Sequence, residues 1–303
     1  MWTEMSTRVV SIQFFPAREA KIAAVAVRVR TERLWQHVMA WNLGSGELKA
    51  GAWTTKQFRP GLCRLSPCGR FFLYTAHDAG KSWNPATRER PFAGEDGGGT
   101  AISRLPWLSA LTRIHSRGLY VDPMVGKHTL SLLEEDALFA KFEGTDGHEQ
   151  FRHQPGWQTV DTKSLPEATM PRRRVADSAT ETWRAAAVAP ERSDVRLIAT
   201  WRHPRGHSPG KKVWTLVGTA LGQPVTSRLN VTCAWMSPET GRLLTAEATG
   251  VISLYQPPKI VREGEARRIS LRLVARHDLR ELTPTPSRPP KKAIEPLSEA
   301  ELM

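Results

Sequence analysis

Short apolar runs, each closed by a turn bearing Pro or Gly, follow one another along most of this chain. Val9–Phe15 ends at Pro16, Ile22–Val29 follows, and Trp35–Leu43 is the third. Runs of this length, rich in Val, Ile, Phe and Trp and bounded by turn residues, predict β-strands rather than helices. Two stretches are near copies of each other. One is Leu65-Ser66-Pro67-Cys68-Gly69-Arg70-Phe71, the other Met236-Ser237-Pro238-Glu239-Thr240-Gly241-Arg242-Leu243. In each, an apolar run ends, Pro fixes φ, Gly supplies a positive φ, and a second apolar run begins after Arg, which is the signature of a hairpin. The two serines lie 171 positions apart, close to four times the roughly 40–45 residue period of a propeller blade.

The third run ends in Trp41-Asn42-Leu43-Gly44-Ser45-Gly46-Glu47-Leu48, a strand, a tight Gly turn and a fourth strand expected over 51–58. This ending resembles WD-repeat proteins, whose blades close their third strand with Trp-Asp-Leu and a Ser/Thr-Gly turn; Asn42 stands in the place of the Asp. After the first marker hairpin, Asp78, Gly80, Ser82 and Trp83 resemble the Asp-box turn of sialidase-like propellers, with Ala76 in place of the opening Ser. In such a turn the Asp caps backbone N–H groups and the Trp packs into the blade, a structural role. Both resemblances imply an all-β fold, a β-propeller.

Further along, 84–99 is rich in Pro and Gly and reads as a loop. Strand-like runs resume at 100–114, 118–121 and 128–142, the last containing a segment that a short helix would also suit. The stretch 143–181 turns polar and carries Arg172-Arg173-Arg174, which marks an insertion or a degenerate blade. Strand patterning returns at 182–188, at 195–201 after a third turn at Pro190, and at 213–218. The last unit is the clearest, with strands at 231–236, 242–248 and 251–255 and a fourth over 268–275, expected to lie beside a strand of the first 58 residues and so close a ring. Residues 283–303 hold five prolines and read as a disordered tail. Turn anchors at Pro16, Pro67, Pro190 and Pro238, with two poorer units in the middle, give a propeller domain over 1–282 of about six four-stranded blades, five or seven being alternatives.

Composition narrows the functional classes. Of the 303 residues 40% are hydrophobic, with 11 Trp, and 24% are charged, so the chain is globular. Its net charge is +13, which suits an acidic partner, nucleic acid included, although Arg28, Arg30, Arg70 and Arg242 occupy ordinary solvent-facing strand and turn positions. Cys63, Cys68 and Cys233 are too few for a disulfide framework, which fits a reducing compartment. No run approaches the roughly 18 apolar residues of a membrane span. The expected setting is the cytoplasm.

Candidate chemistry is sparse. A sialidase-like site would need an Arg cluster, a Tyr/Glu nucleophile and an acid, yet Tyr74 and Tyr255 fall inside predicted strands, where packing is the ordinary role. His203 and His207 have helical metal spacing, but Pro204 and Gly206 rule out the helix that gives the spacing meaning. His148 and His153 sit in the polar stretch and read as solvated. No catalytic set, cofactor or metal emerges. Trp41, Trp201, Trp214 and Trp235 suit strand interiors and the core. Trp53, Trp83, Trp107 and Trp157 fall near turns, and with Arg172, Arg173 and Arg174 they are the candidate partner-binding residues, since aromatic and Arg side chains anchor protein partners. The reading is a non-enzymatic protein-interaction scaffold, with a propeller hydrolase or glycan-binding module as the alternative and a nucleic-acid-binding protein as the second.

Overall fold

The computed structural model describes residues 8–17, 19–58, 60, 63–77, 99–114, 157–160, 182–188, 190, 194–203 and 212–295. The Asp-box-like turn, the loop 84–98, the run 118–142, His148, His153, His207 and the Arg172–Arg174 cluster lie outside the described residues. The fold is all-β, with one short helix among the described residues. The chain falls into two compact units, 1–153 together with 279–303, and 154–278.

The first unit holds two antiparallel meanders. β1 (Arg8–Pro16), β2 (Ile22–Arg30), β3 (Leu34–Asn42) and β4 (Leu48–Thr54) pair in chain order. In the next sheet the first strand is interrupted: β5 (Gln57–Phe58) and β6 (Arg64–Leu65) both line one edge of β7 (Phe71–His77), followed by β8 (Gly99–Arg104) and β9 (Ala110–Ile114). The fourth strand expected over 51–58 is therefore two strands, and its end belongs to the second sheet. Phe58 leaves the first sheet because its ring packs on Tyr74 of β7, 5.5 Å between centroids.

The two sheets meet face to face through complementary sizes. Ala24 and Ala26 on β2 leave room for Phe72 and Tyr74 on β7, and Phe15 rests on Phe72 at 5.4 Å. The marker turn at Ser66–Gly69 then packs on the β1–β2 turn. Pro67 accepts a hydrogen bond from the Glu19 N–H at 3.0 Å, and a Cβ on Gly69 would lie 3.2 Å from that of Ala20.

The second unit repeats this plan. β10 (Trp157–Val160), β11 (Thr182–Val188), β12 (Val195–His203), β13 (Val213–Ala220) and β14 (Gln223–Leu229) form one sheet, so four residues of the stretch read as an insertion add an edge strand. β15 (Cys233–Met236), β16 (Leu243–Ala246), β17 (Val251–Tyr255) and β20 (Leu273–Asp278) form the next, and between β17 and β20 the chain makes a separate hairpin of β18 (Lys259–Glu263) and β19 (Ala266–Ser270). The single strand expected over 268–275 is thus divided. Its first part pairs with β18 and its second with β17, both within their own unit. The chain turns between them where the Arg272 carbonyl accepts from the Gln256 N–H at 2.9 Å.

In each of these sheets two inner strands are buried on both faces. Val25, Val27, Phe71, Phe72, Leu73, Leu197, Ile198, Leu216, Leu244, Ile252 and Leu254 are all inaccessible to solvent. An antiparallel sheet with one wet face would alternate instead. This is why the strands appear in the sequence as near-continuous apolar runs.

The segment after Leu282 takes a definite course as far as Glu295. Helix α1 (Lys291–Ile294) buries Ala293, and the Glu295 carbonyl accepts a hydrogen bond from the Arg104 guanidinium at 2.6 Å.

Candidate partner-binding surface

Of the candidate residues, the structure describes the side chains of Trp53 and Trp107, which lie on two segments that dock on each other. Trp53 sits at the end of β4 and Trp107 in the β8–β9 turn. The turn docks on β4: the Ala52 N–H donates to the Pro106 carbonyl at 3.0 Å, so one hydrogen bond joins the residues preceding the two tryptophans. Gly51 permits the approach. A Cβ there would fall on the carbonyl and ring of Pro106 and 2.6 Å from the Val38 carbonyl. The turn itself is rigid. The Ser103 hydroxyl donates to the Trp107 carbonyl at 2.6 Å, and the Tyr74 hydroxyl donates to the Leu108 carbonyl at 2.9 Å. Both tryptophans are half-buried, which leaves part of each indole available to a partner.

Trp53 is fixed from beneath by His37, its cross-strand neighbour on β3. The rings stack at 4.1 Å with 10° between their planes. His37 is 1% exposed, and its Nδ1 lies 3.1 Å from the Ala52 carbonyl. A carbonyl only accepts, so the ring carries its proton on Nδ1 and donates. Burial pushes its pKa down to about 4, against a weaker opposite pull from that carbonyl. His37 is neutral and structural near pH 7. Sequence reasoning missed it; it lies inside an apolar run with no partner residue in sequence reach.

Trp157 lies on β10, outside the described side chains, and Trp83, Arg172, Arg173 and Arg174 lie outside the described residues; the structure brings none of these to Trp53. Trp41, Trp214 and Trp235 are core residues, each at most 2% exposed, as their strand positions predicted. The Trp41 indole N–H donates to the Gly46 carbonyl at 3.1 Å. Asn42 closes the same turn, its side-chain oxygen accepting from the N–H groups of Gly44 and Ser45 at 2.8 and 3.1 Å. Trp201 and His203 lie on β12, outside the described side chains. Tyr74, considered from sequence as a nucleophile, is committed to the Leu108 carbonyl.

The thiols differ sharply. Cys63 is buried, and burial pushes its pKa up to about 12. Cys68, on the marker turn, is partly exposed. Burial there works to raise its pKa, but hydrogen bonds from Ser66 and Arg70 and the charge of Arg70 outweigh it and hold the thiol below its ordinary value. No group of three or more metal-ligating side chains occurs among the described residues.

No protein-family profile matches the chain, and no curated protein matches it. Among solved structures, an uncharacterized protein of Listeria monocytogenes is similar at 10% identity with a TM-score of 0.26, over 82% of this chain and 63% of that one. The chain thus spans less than two thirds of that protein's length, and a likeness this distant bears on neither fold nor function.

Proposed function

We propose that this chain is a β-propeller of about six four-stranded blades that serves as a non-enzymatic protein-interaction scaffold. One observation carries the architecture: in both units, like turns of successive meanders are neighbours. The turn after β6 packs on the turn after β1, and Gly241, in the turn after β15, faces Pro190 in the turn after β11, its Cβ position 3.6 Å from the proline's. Sheets stacked in step, their inner strands buried on both faces, are what radial repetition requires. A two-sheet sandwich would leave one face of each sheet to solvent.

The scaffold reading rests on what the described polar side chains do. His37, Tyr74 and Ser103 are spent on holding backbone carbonyls, whereas Trp53 and Trp107 offer partly open aromatic faces on a rigid turn, the kind of anchor that protein partners use. Cys63, Cys68 and Cys233 form no disulfide, which suits a reducing compartment, and we take the cytoplasm as its setting.

Affinity purification of the tagged protein from its source, followed by mass spectrometry, tests the function. Trp107→Ala, and Trp53→Ala alongside it, should each lose a partner that the wild type recovers, with far-UV circular dichroism unchanged. Equal recovery by both variants overturns the assignment of this surface. An experimental structure showing fewer than five radially arranged sheets overturns the architecture.

A further inference from the structure

The β18–β19 hairpin is an addition to the four-stranded plan. It leaves the sheet after Tyr255 and returns at Leu273, while β17 and β20 pair directly across its base. Insertions into a repeat unit frequently carry its binding function. One face of this ribbon is anchored. Ile269 is buried, β19 packs along β14, and Ile260 presses on Gly218 so closely that a Cβ there would lie 2.7 Å from its Cδ1. By register the opposite face carries Lys259, Val261 and Arg268. Lys259, Arg262, Arg268 and Arg272 are exposed, and residues 256–272 hold five Lys and Arg against two Glu. The ribbon is a rigid cationic arm.

We infer that this arm docks an acidic protein segment that also carries apolar side chains. The inference rests on the scaffold reading and names the chemistry of a partner. The apolar surface of the arm favours protein over nucleic acid. The cations are four Arg and one Lys, and the planar Arg fork takes a carboxylate through two hydrogen bonds. Glu263, at the exposed tip, holds Arg268 at 2.8 Å. Apolar surface is interleaved with the charge: Val261 is partly open and Leu273, at the foot of the arm, is 50% exposed.

The test uses the full chain and two fluorescent probes, a short peptide alternating Glu and Leu and a single-stranded oligonucleotide, by anisotropy at about 0.15 M salt. Lys259→Glu/Arg268→Glu/Arg272→Glu should weaken peptide binding by about ten-fold or more. Arg30→Glu/Arg33→Glu/Lys49→Glu makes the same change in charge at exposed positions elsewhere and should leave it within about three-fold. Thermal melts check that each variant folds, and Arg272→Glu alone supplies the readout if the triple variant does not. The inference is overturned if the wild type does not bind the peptide, if the two triple variants weaken it equally, or if the oligonucleotide binds more tightly and is the probe the arm variant releases. Each of these leaves the scaffold reading standing, because that reading fails on partner recovery at Trp53 and Trp107.

Discussion

Gly69 and Gly241 hold the same backbone conformation, φ +75° and +68°, at equivalent points of two turns. Each N–H donates to the carbonyl of the turn's serine, Ser66 or Ser237, at 2.9 Å, and each serine N–H donates across the turn, to Phe71 or Arg242, at 2.8 and 2.9 Å. Both glycines also press on a neighbouring turn, where a Cβ would meet Ala20 in one case and Pro257 in the other at 3.2 Å. A side chain is opposed both by the positive φ and by this contact. Gly69→Val and Gly241→Val should each cost about 1–3 kcal/mol. Unchanged urea midpoints in both would show that neither turn depends on its glycine.

His37 makes stability depend on pH. Unfolded, its ring titrates near 6.5; folded, burial holds it to about 4. Between those values the unfolded chain binds a proton that the folded chain does not, so stability falls as pH drops from about 6.5 to about 4 and then levels off. The loss is at most about 3 kcal/mol. His37→Gln keeps a donor for the Ala52 carbonyl and removes the titration. Urea midpoints at neutral pH and near pH 4.5 should fall further for the wild type than for this variant. Parallel behaviour of the two proteins would remove His37 as the cause.

The turns and central strands were legible in sequence because Pro and Gly constrain φ locally and because strands buried on both faces leave unbroken apolar runs. What was not legible depends on partners distant in sequence. β14, Gln223–Leu229, is mostly polar, buries only Val225 and has Pro224 as its second residue, so it lacks the pattern of a strand. The break within 268–275 has no local marker, since alternation continues across Leu271 and Arg272; pairing with β18 on one side and β17 on the other decides it. The stack of Trp53 on His37 depends on cross-strand register, and a bulge between His37 and Met39 shifts that register by an amount that counting residues does not reveal. The cationic arm appeared in sequence only as scattered Arg, because its face is set by the β18–β19 pairing and by the anchoring of Ile260 and Ile269.

The thiols should separate by reactivity. The thiolate is the nucleophile; Cys68 is held below its ordinary pKa on an open turn, and Cys63 is pushed up to about 12 inside the core. A brief pulse of iodoacetamide near neutral pH, read by peptide mass spectrometry, should label Cys68 more than about a hundred-fold faster than Cys63. Comparable labelling of the folded protein at the two sites would mean that Cys63 is not in the buried position described.

Leu221 is the one non-glycine residue with positive φ among those described, at 49°, and it is followed by Gly222 at 75°. Together they connect β13 to β14, with Ala220 and Gln223 paired across the turn. Two successive positive φ values define the tight hairpin turn whose twist matches its flanking strands, and Asn-Gly is its favoured sequence. Leucine gains nothing in return for the strain, for its side chain is 84% exposed. Asn tolerates this conformation because its short polar side chain bonds to nearby backbone. Leu221→Asn should therefore stabilise the protein by about 0.5–1 kcal/mol. Leu221→Val should act in the opposite direction, since a β-branched residue is least tolerant of positive φ. Urea midpoints of the two variants should fall on opposite sides of the wild type. If Asn and Val shifted the midpoint alike, the hairpin would be held by the β13–β14 ladder, and the conformation of Leu221 would have no bearing on its stability.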